Sequence, residues 1–248
     1  MAFDLSNLRR GKATKPPRMI VYGEHGIGKS TFCAGAPNVV FIPTEDGIDE
    51  LDTTSFPLAT NYQQVLDAVS TLCSEPHDFS AVCIDSLDWL EALIWKHVAK
   101  KHDKPDIEAF GYGKGYVYAA DELRELLRGL DYLRAERNMA ILMTAHCEVR
   151  RHDDPLTEPY DRYRIKLHKH ASAVAQEWAD IVGFVTEPVI VRKADVGFKK
   201  EVARGISRGE RELHISPSPA FEAKNRHGVN EPLPLNWAAL QAAITGGK

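Results

Sequence analysis

The chain is poor in the features that mark secreted, membrane-bound or metal-stapled proteins. It has four cysteines, Cys33, Cys73, Cys83 and Cys147, far apart and without a C-x-x-C pair. That spacing argues against a disulfide framework or a zinc ribbon, and Cys83, inside an apolar run, reads as a small buried residue in a reducing compartment. His152, His168 and His170 with Cys147 lack finger spacing as well, so no zinc site is expected. No apolar run approaches the roughly 20 residues of a membrane span, and no membrane partner is expected. Residues 1–18 carry basic side chains without the apolar centre of a signal peptide, so a cytoplasmic location is the expectation. Positive charge is not in excess: 31 Lys and Arg against 35 Asp and Glu leave a net charge of −4. A globally basic nucleic-acid binder is thereby excluded, and any such surface has to be local. Internal repeats and low-complexity tracts are also missing, which removes solenoids and long linkers.

What is present starts with GEHGIGKST at residues 23–31: Gly23, Glu24, His25, Gly26, Ile27, Gly28, Lys29, Ser30 and Thr31. The G-x-x-x-x-G-K-S spacing follows the apolar run MIVY and precedes TFCAGA, so it sits where a strand turns into a helix. Glycines there let consecutive amides face the phosphate oxygens of ATP. Lys29 then neutralises the β and γ charge, and Ser30 is placed to ligate Mg²⁺. Asp85 ends a second apolar run, AVCID, and is followed by Ser86. Alone, a carboxylate at that position is as often a helix N-cap; downstream of a phosphate loop it is a candidate to hold Mg²⁺ through water.

Apolar runs recur at residues 18–22, 38–42, 80–85, 139–144 and 180–185. They do not alternate with polar residues, as expected of strands buried on both faces of a parallel sheet. Helical patterns lie at residues 30–36, 62–73, 86–101, 116–137 and 171–178. Strand then helix, repeated, predicts an α/β fold, a mostly parallel doubly wound P-loop NTPase core over residues 18–248. Residues 1–17, ending in Pro16 and Pro17, read as a lightly docked arm. After Glu187 the segments VIVRKAD, KKEVARGI and ERELHIS suit a C-terminal antiparallel hairpin extension on one sheet edge, and a closing helix is expected at residues 235–245.

Between residues 147 and 171 apolar periodicity disappears. Arg150, Arg151, Arg162, Arg164, Lys166 and Lys169 are interleaved with Tyr160 and Tyr163. Cations among aromatics grip phosphates and stack bases of a single strand; five acidic residues nearly cancel the charge, and a surface or subunit-contact loop is the competing reading. FGYGKGY, with Lys114, is either a second DNA contact or the turn that starts a long helix.

The phosphate loop, FIPTED, AVCIDSLDWL, FGYGKGY, MTAHCEV, YDRYRIKLHKHA and AKNRHG stand in this order over residues 18–240. Together they resemble the short RecA-like, phage-type nucleotide-binding proteins that act as single-strand annealing or recombination ATPases. The resemblance implies a RecA-like core and assigns Glu45 the orientation and deprotonation of the attacking water; a solvated turn of Glu45, Asp46, Asp49 and Glu50 is the alternative. It makes His146 a sensor of the γ-phosphate, against an ordinary strand-end histidine, and places the following loop on DNA. Lys224 and Arg226, two residues apart and so on one side of a strand, would supply charge to a neighbour's nucleotide, against a plain basic turn.

The implied function is a Mg²⁺-dependent, DNA-stimulated ATPase that binds single-stranded DNA and promotes annealing as a homo-oligomer, ring or filament, with a single-strand DNA-binding protein as a further partner class. Pro43 and Thr44 before Glu45 depart from the pattern, and no separate DNA-gating domain follows, so annealing fits better than strand exchange. A helicase-like RecA-core motor or a regulatory ATPase with a protein partner is the alternative, and a small-molecule kinase is a third class.

Overall fold

The computed structural model describes residues 15–195, 201–207, 209–229 and 232–246, with Leu8 and Gly11; side chains are described to residue 190 and again from residue 209. The expected arm therefore lies largely outside the described residues. Its last residues are docked: the Pro17 carbonyl accepts from Ile141 N at 2.9 Å and the Pro16 carbonyl from Arg134 Nε at 2.6 Å.

The strands are β1 (Arg18–Gly23), β2 (Val39–Pro43), β3 (Thr54–Ser55), β4 (Ala81–Asp85), β5 (Ala140–His152), β6 (Tyr160–Ile165), β7 (Ile181–Thr186), β8 (Val189–Asp195), β9 (Glu201–Ser207), β10 (Glu212–His214), β11 (Lys224–Asn225) and β12 (Leu233–Pro234). The helices are α1 (Lys29–Ala34), α2 (Tyr62–Ser74), α3 (Leu87–Lys101), α4 (Lys114–Glu136), α5 (Lys169–Trp178) and α6 (Trp237–Gly246). One sheet runs β12-β10-β7-β1-β5-β4-β2-β3, parallel from β7 to β3. β10 and β11 both pair antiparallel with β7, and β12 with β10.

The unbroken apolar runs become strands covered on both faces, as expected. Along β1, Ile20 and Tyr22 join a core beneath α2, α3, α4 and α5, whereas Met19 and Val21 join a second core with Phe32 and Cys33 of α1 and Trp237 and Leu240 of α6. Along α4, Ala119, Leu123, Leu126, Leu127, Leu130 and Leu133 recur every three or four residues, and this buried stripe holds the helix to its neighbours. Asn61 starts α2 by accepting from Gln64 N at 3.1 Å.

Two expectations change. The segment after His146 is not a loop: β5 continues through His152 and folds back as β6, with Glu148 opposite Arg164, Arg150 opposite Arg162 and His152 opposite Tyr160. Charges on both faces of this ribbon hide the period-two signal on which strand recognition rests. The C-terminal strands also divide, since β10, β11 and β12 extend the β7 edge while β8 and β9 form a separate two-stranded sheet.

Candidate functional site

β5 lies between β1 and β4, so the ends of β1, β4 and β2 and the middle of β5 bring the phosphate loop, Asp85, Glu45 and Thr144 with His146 to one rim. Gly23 closes β1 where no side chain fits: a Cβ would stand 2.7 Å from the Val185 carbonyl of β7. Gly28 adopts φ 98°, in the left-handed region that glycine tolerates, and turns the chain directly into Lys29. Lys29 is 6% exposed, and its ammonium donates to the Glu24 carbonyl at 2.8 Å and the Gly23 carbonyl at 3.3 Å. Burial pushes its pKa down, while the carboxylates of Asp85, Glu45 and Asp88 hold the charge in place. Ser30 and Thr31 follow in the first turn of α1.

Asp85 is 2% exposed, and one of its oxygens, Oδ1, accepts from Thr144 Oγ1. A serine hydroxyl and a carboxylate are hard oxygen donors of the kind Mg²⁺ takes beside phosphates and water, so Ser30 and Asp85 fit that ion. Among the described residues no group of three His, Cys, Asp or Glu forms a metal cage, and a nucleotide-bound Mg²⁺ needs none.

Backbone ties carry Glu45 to this centre. Thr44 N and Glu45 N donate to the Asp85 carbonyl at 2.7 and 3.3 Å, and Thr44 Oγ1 donates to the Ser86 carbonyl at 2.7 Å. The Pro43-Thr44 pair is thus the fastening that sets Glu45 beside Asp85. Glu45 is half-buried while Asp46, Asp49 and Glu50 are exposed, which separates it from the acidic turn. Burial raises its pKa, His146 opposes, and Asp85 adds to the rise. A carboxylate whose proton affinity is lifted is better suited to accept a proton from water.

His146 is held by a residue that the sequence did not single out. Asp88, in the first turn of α3, takes the His146 ring Nδ1 at 3.0 Å on Oδ2 and the His146 amide at 3.1 Å on Oδ1. The bond to Asp88 raises the ring's pKa, with burial opposing. On Asp88 burial pushes upward, but the hydrogen bonds and charge of His146 prevail and hold the carboxyl below its ordinary range. One turn on, Glu91 lines a small cavity with Leu87, Ile94, Ala119, Leu123 and Leu167, and both its oxygens accept from His168 N at 3.1 Å. Burial lifts Glu91 to about 7, against the pull of that amide. The three-residue spacing of Asp85, Asp88 and Glu91 was the available signal, because it stacks Asp88 and Glu91 on one helix face.

The cationic residues are only partly collected. Arg150, Arg151, Lys166 and Lys169 are exposed along the β5–β6 hairpin and the start of α5. Arg162 instead donates to the Phe221 carbonyl at 2.9 Å, and Arg164 reaches His152 Nδ1 at 2.8 Å and Glu222 at 3.6 Å. Tyr163 packs its ring 4.9 Å from Phe184 in the core, whereas Tyr160 stands at the open end, edge-on to His152. Glu148 pairs with Arg150 at 2.7 Å. Tyr116 stacks on His168 at 3.9 Å, which sets the start of α4, with Lys114, against the start of α5.

Lys224 and Arg226 are not brought to the phosphate loop. Lys224 pairs with Val182 near the start of β7, whereas Gly23 is level with Val185 at its far end. The two side chains do point one way, toward the end of α5: Lys224 Nζ donates to the carbonyls of Gln176 and Glu177 at 2.6 and 2.9 Å, and Arg226 reaches the Glu177 carbonyl at 3.3 Å and Asp180 at 3.1 Å. Carbonyls at a helix C-terminus lack intrahelical partners and attract cations, which accounts for the pair within this one chain.

A family described as AAA domain matches residues 15–227. No curated protein matches the chain.

Proposed function

Because the chain belongs to the AAA domain family and carries a phosphate loop at the rim of its sheet, we propose that it is a Mg²⁺-dependent ATPase in which the nucleotide state sets the grip on single-stranded DNA. The observation that carries this reading is the course of β5. A single strand passes Thr144, which holds Asp85, then His146, which faces the centre, and continues without a break into the hairpin bearing Arg150 and Arg151.

In this mechanism the amides of residues 26–31 and the Lys29 ammonium hold the triphosphate, and Glu45 accepts a proton from the attacking water. Bound Mg²⁺ supplies charge neutralisation for the phosphates. Asp88 orients the His146 ring so that its other nitrogen faces the terminal phosphate. Loss of that phosphate changes what His146 touches, and its strand carries the change to the hairpin. Exposed cations there bind the strand's phosphates, and Tyr160 offers a face for a base. Several copies along one strand would bring complementary strands together, which is annealing. Among the described residues no helix is long and apolar enough to cross a membrane.

The test is ATP turnover with and without single-stranded DNA, together with the salt dependence of DNA binding for a variant in which Arg150, Arg151, Lys166 and Lys169 are all neutralised. Stimulated turnover is expected, with the log-log salt slope falling by about 0.7 for each DNA phosphate that the variant leaves without a cation. Unstimulated turnover with an unchanged slope transfers the hairpin to a protein partner, a reading favoured by the Arg150–Glu148 pair.

A further inference from the structure

Arg211 immediately precedes β10, where Glu212 pairs with Thr186 at the end of β7, so Arg211 stands at the same rim as the phosphate loop. Its Nη1 lies 2.7 Å from the point that a Cβ on Gly28 would occupy, with Leu235 next at 3.5 Å. A guanidinium is therefore laid against the backbone of the residue that introduces Lys29. Its own backbone is fixed: the Arg211 carbonyl accepts from Leu235 N at 3.1 Å, and β10 is paired with β7 on one side and β12 on the other. Beyond Leu235, Trp237 sits 5.8 Å from the Phe32 ring and against Gly35, which seats the C-terminal segment on α1. Arg211 is exposed, and among the described residues no carboxylate pairs with it.

The strand order gives the direction of approach. β7 and β10 lie on one side of β1, while β5, β4 and β2, with His146, Asp85 and Glu45, lie on the other. The acidic side is where the terminal phosphate reacts. We propose that Arg211 is a nucleotide-binding residue whose guanidinium hydrogen-bonds the inner phosphates of the bound nucleoside di- or triphosphate, from the side opposite the reacting phosphate. The planar fork of an arginine suits two phosphate oxygens at once, which a lysine cannot reproduce. This inference rests on the nucleotide reading of the phosphate loop and extends it: affinity is shared between that loop and the C-terminal strands.

The experiment measures dissociation constants of full-length protein for ATP and for ADP, by calorimetry, in wild type, Arg211→Ala, Arg211→Lys and Lys29→Ala. Arg211→Ala is expected to weaken ATP and ADP by the same factor, about tenfold or more, with Arg211→Lys in between. An unaltered affinity in Arg211→Ala overturns the proposal while leaving the phosphate loop in place, provided Lys29→Ala has lost binding. A loss confined to ATP also overturns it, because the guanidinium would then sit on the terminal phosphate. Wild type that binds neither nucleotide sinks the wider reading instead. Thermal melting of each variant identifies any loss due to unfolding.

Discussion

The two ends of the sheet use the same side-chain chemistry to opposite effect. Where β7 begins, Asp180 is ringed by Arg18 at 2.9 Å, Arg134 at 2.8 Å and Arg226 at 3.1 Å, and Arg18 also reaches Asp131. Burial alone would push Asp180 up, but the hydrogen bonds and charges of Arg18 and Arg134 hold it below the ordinary carboxylate range. At the rim where β1 and β4 end and β5 passes through, Glu45, Asp85, Asp88 and Glu91 gather about Lys29 and His146, and burial drives both Glu45 and Glu91 upward. One end closes the fold with paired charge. The other gathers carboxylates beside the phosphate loop, where burial works against their charge.

Four changes break or sharpen this contrast. Glu45→Gln is the most severe for the working end: ATP still binds, and turnover falls by about 10²- to 10⁴-fold. Binding and single-turnover hydrolysis measured on one preparation check this, and normal turnover would return Glu45 to the acidic turn. Asp180→Ala acts on the closed end, where it removes the carboxylate that three arginines share and costs about 3 kcal/mol in urea unfolding, with ATP affinity of the folded protein unaltered. The folded-state pKa of Asp180 is depressed, so its contribution is present above the unfolded value of about 4 and is lost as pH falls through the folded value.

Glu91→Gln should move stability the other way. With its folded pKa raised to about 7, Glu91 costs nothing below its unfolded value and increasingly destabilises as pH climbs toward 7, after which the cost is constant. The glutamine keeps an acceptor for His168 N and removes the charge, so the variant matches wild type near pH 4.5 and exceeds it by on the order of 2 kcal/mol at pH 8. Urea unfolding at the two pH values reads the difference. Arg226→Ala is the mildest. Its side chain is 52% exposed, so the loss is about 0.5–1 kcal/mol, and ATP turnover per folded molecule stays as it was. Abolished turnover would instead support Arg226 as a residue that reaches a neighbour's nucleotide.

The parallel core was legible because burial on both faces writes an unbroken apolar run, and runs at residues 18–22, 80–85 and 139–144 became β1, β4 and β5. The phosphate loop was legible because its glycines meet a local backbone demand, at Gly23 and Gly28. What stayed hidden depends on who meets whom across the fold. Lys224 and Arg226 were read correctly as pointing one way, but only the meeting of β11 with the end of α5, nearly 50 residues earlier, says toward what. The spacing of Asp88 and Glu91 was visible, and their burial was not. Arg211 carries no local signal at all, since its place follows from the pairing of β10 with β7.

The β5–β6 hairpin has one further property. Its tip, between His152 and Tyr160, holds Pro155 and Pro159 and a Leu156 that is 93% exposed, and it belongs to neither core. Backbone at such a place bears few obligations, and it is where chains accept cuts and insertions. The molecule thus comes with a handle: a dye, a tag or a protease site installed at residues 154–158 would report on or sever the hairpin while the sheet stays whole, and the nucleotide-binding half of the protein could be assayed apart from its reach.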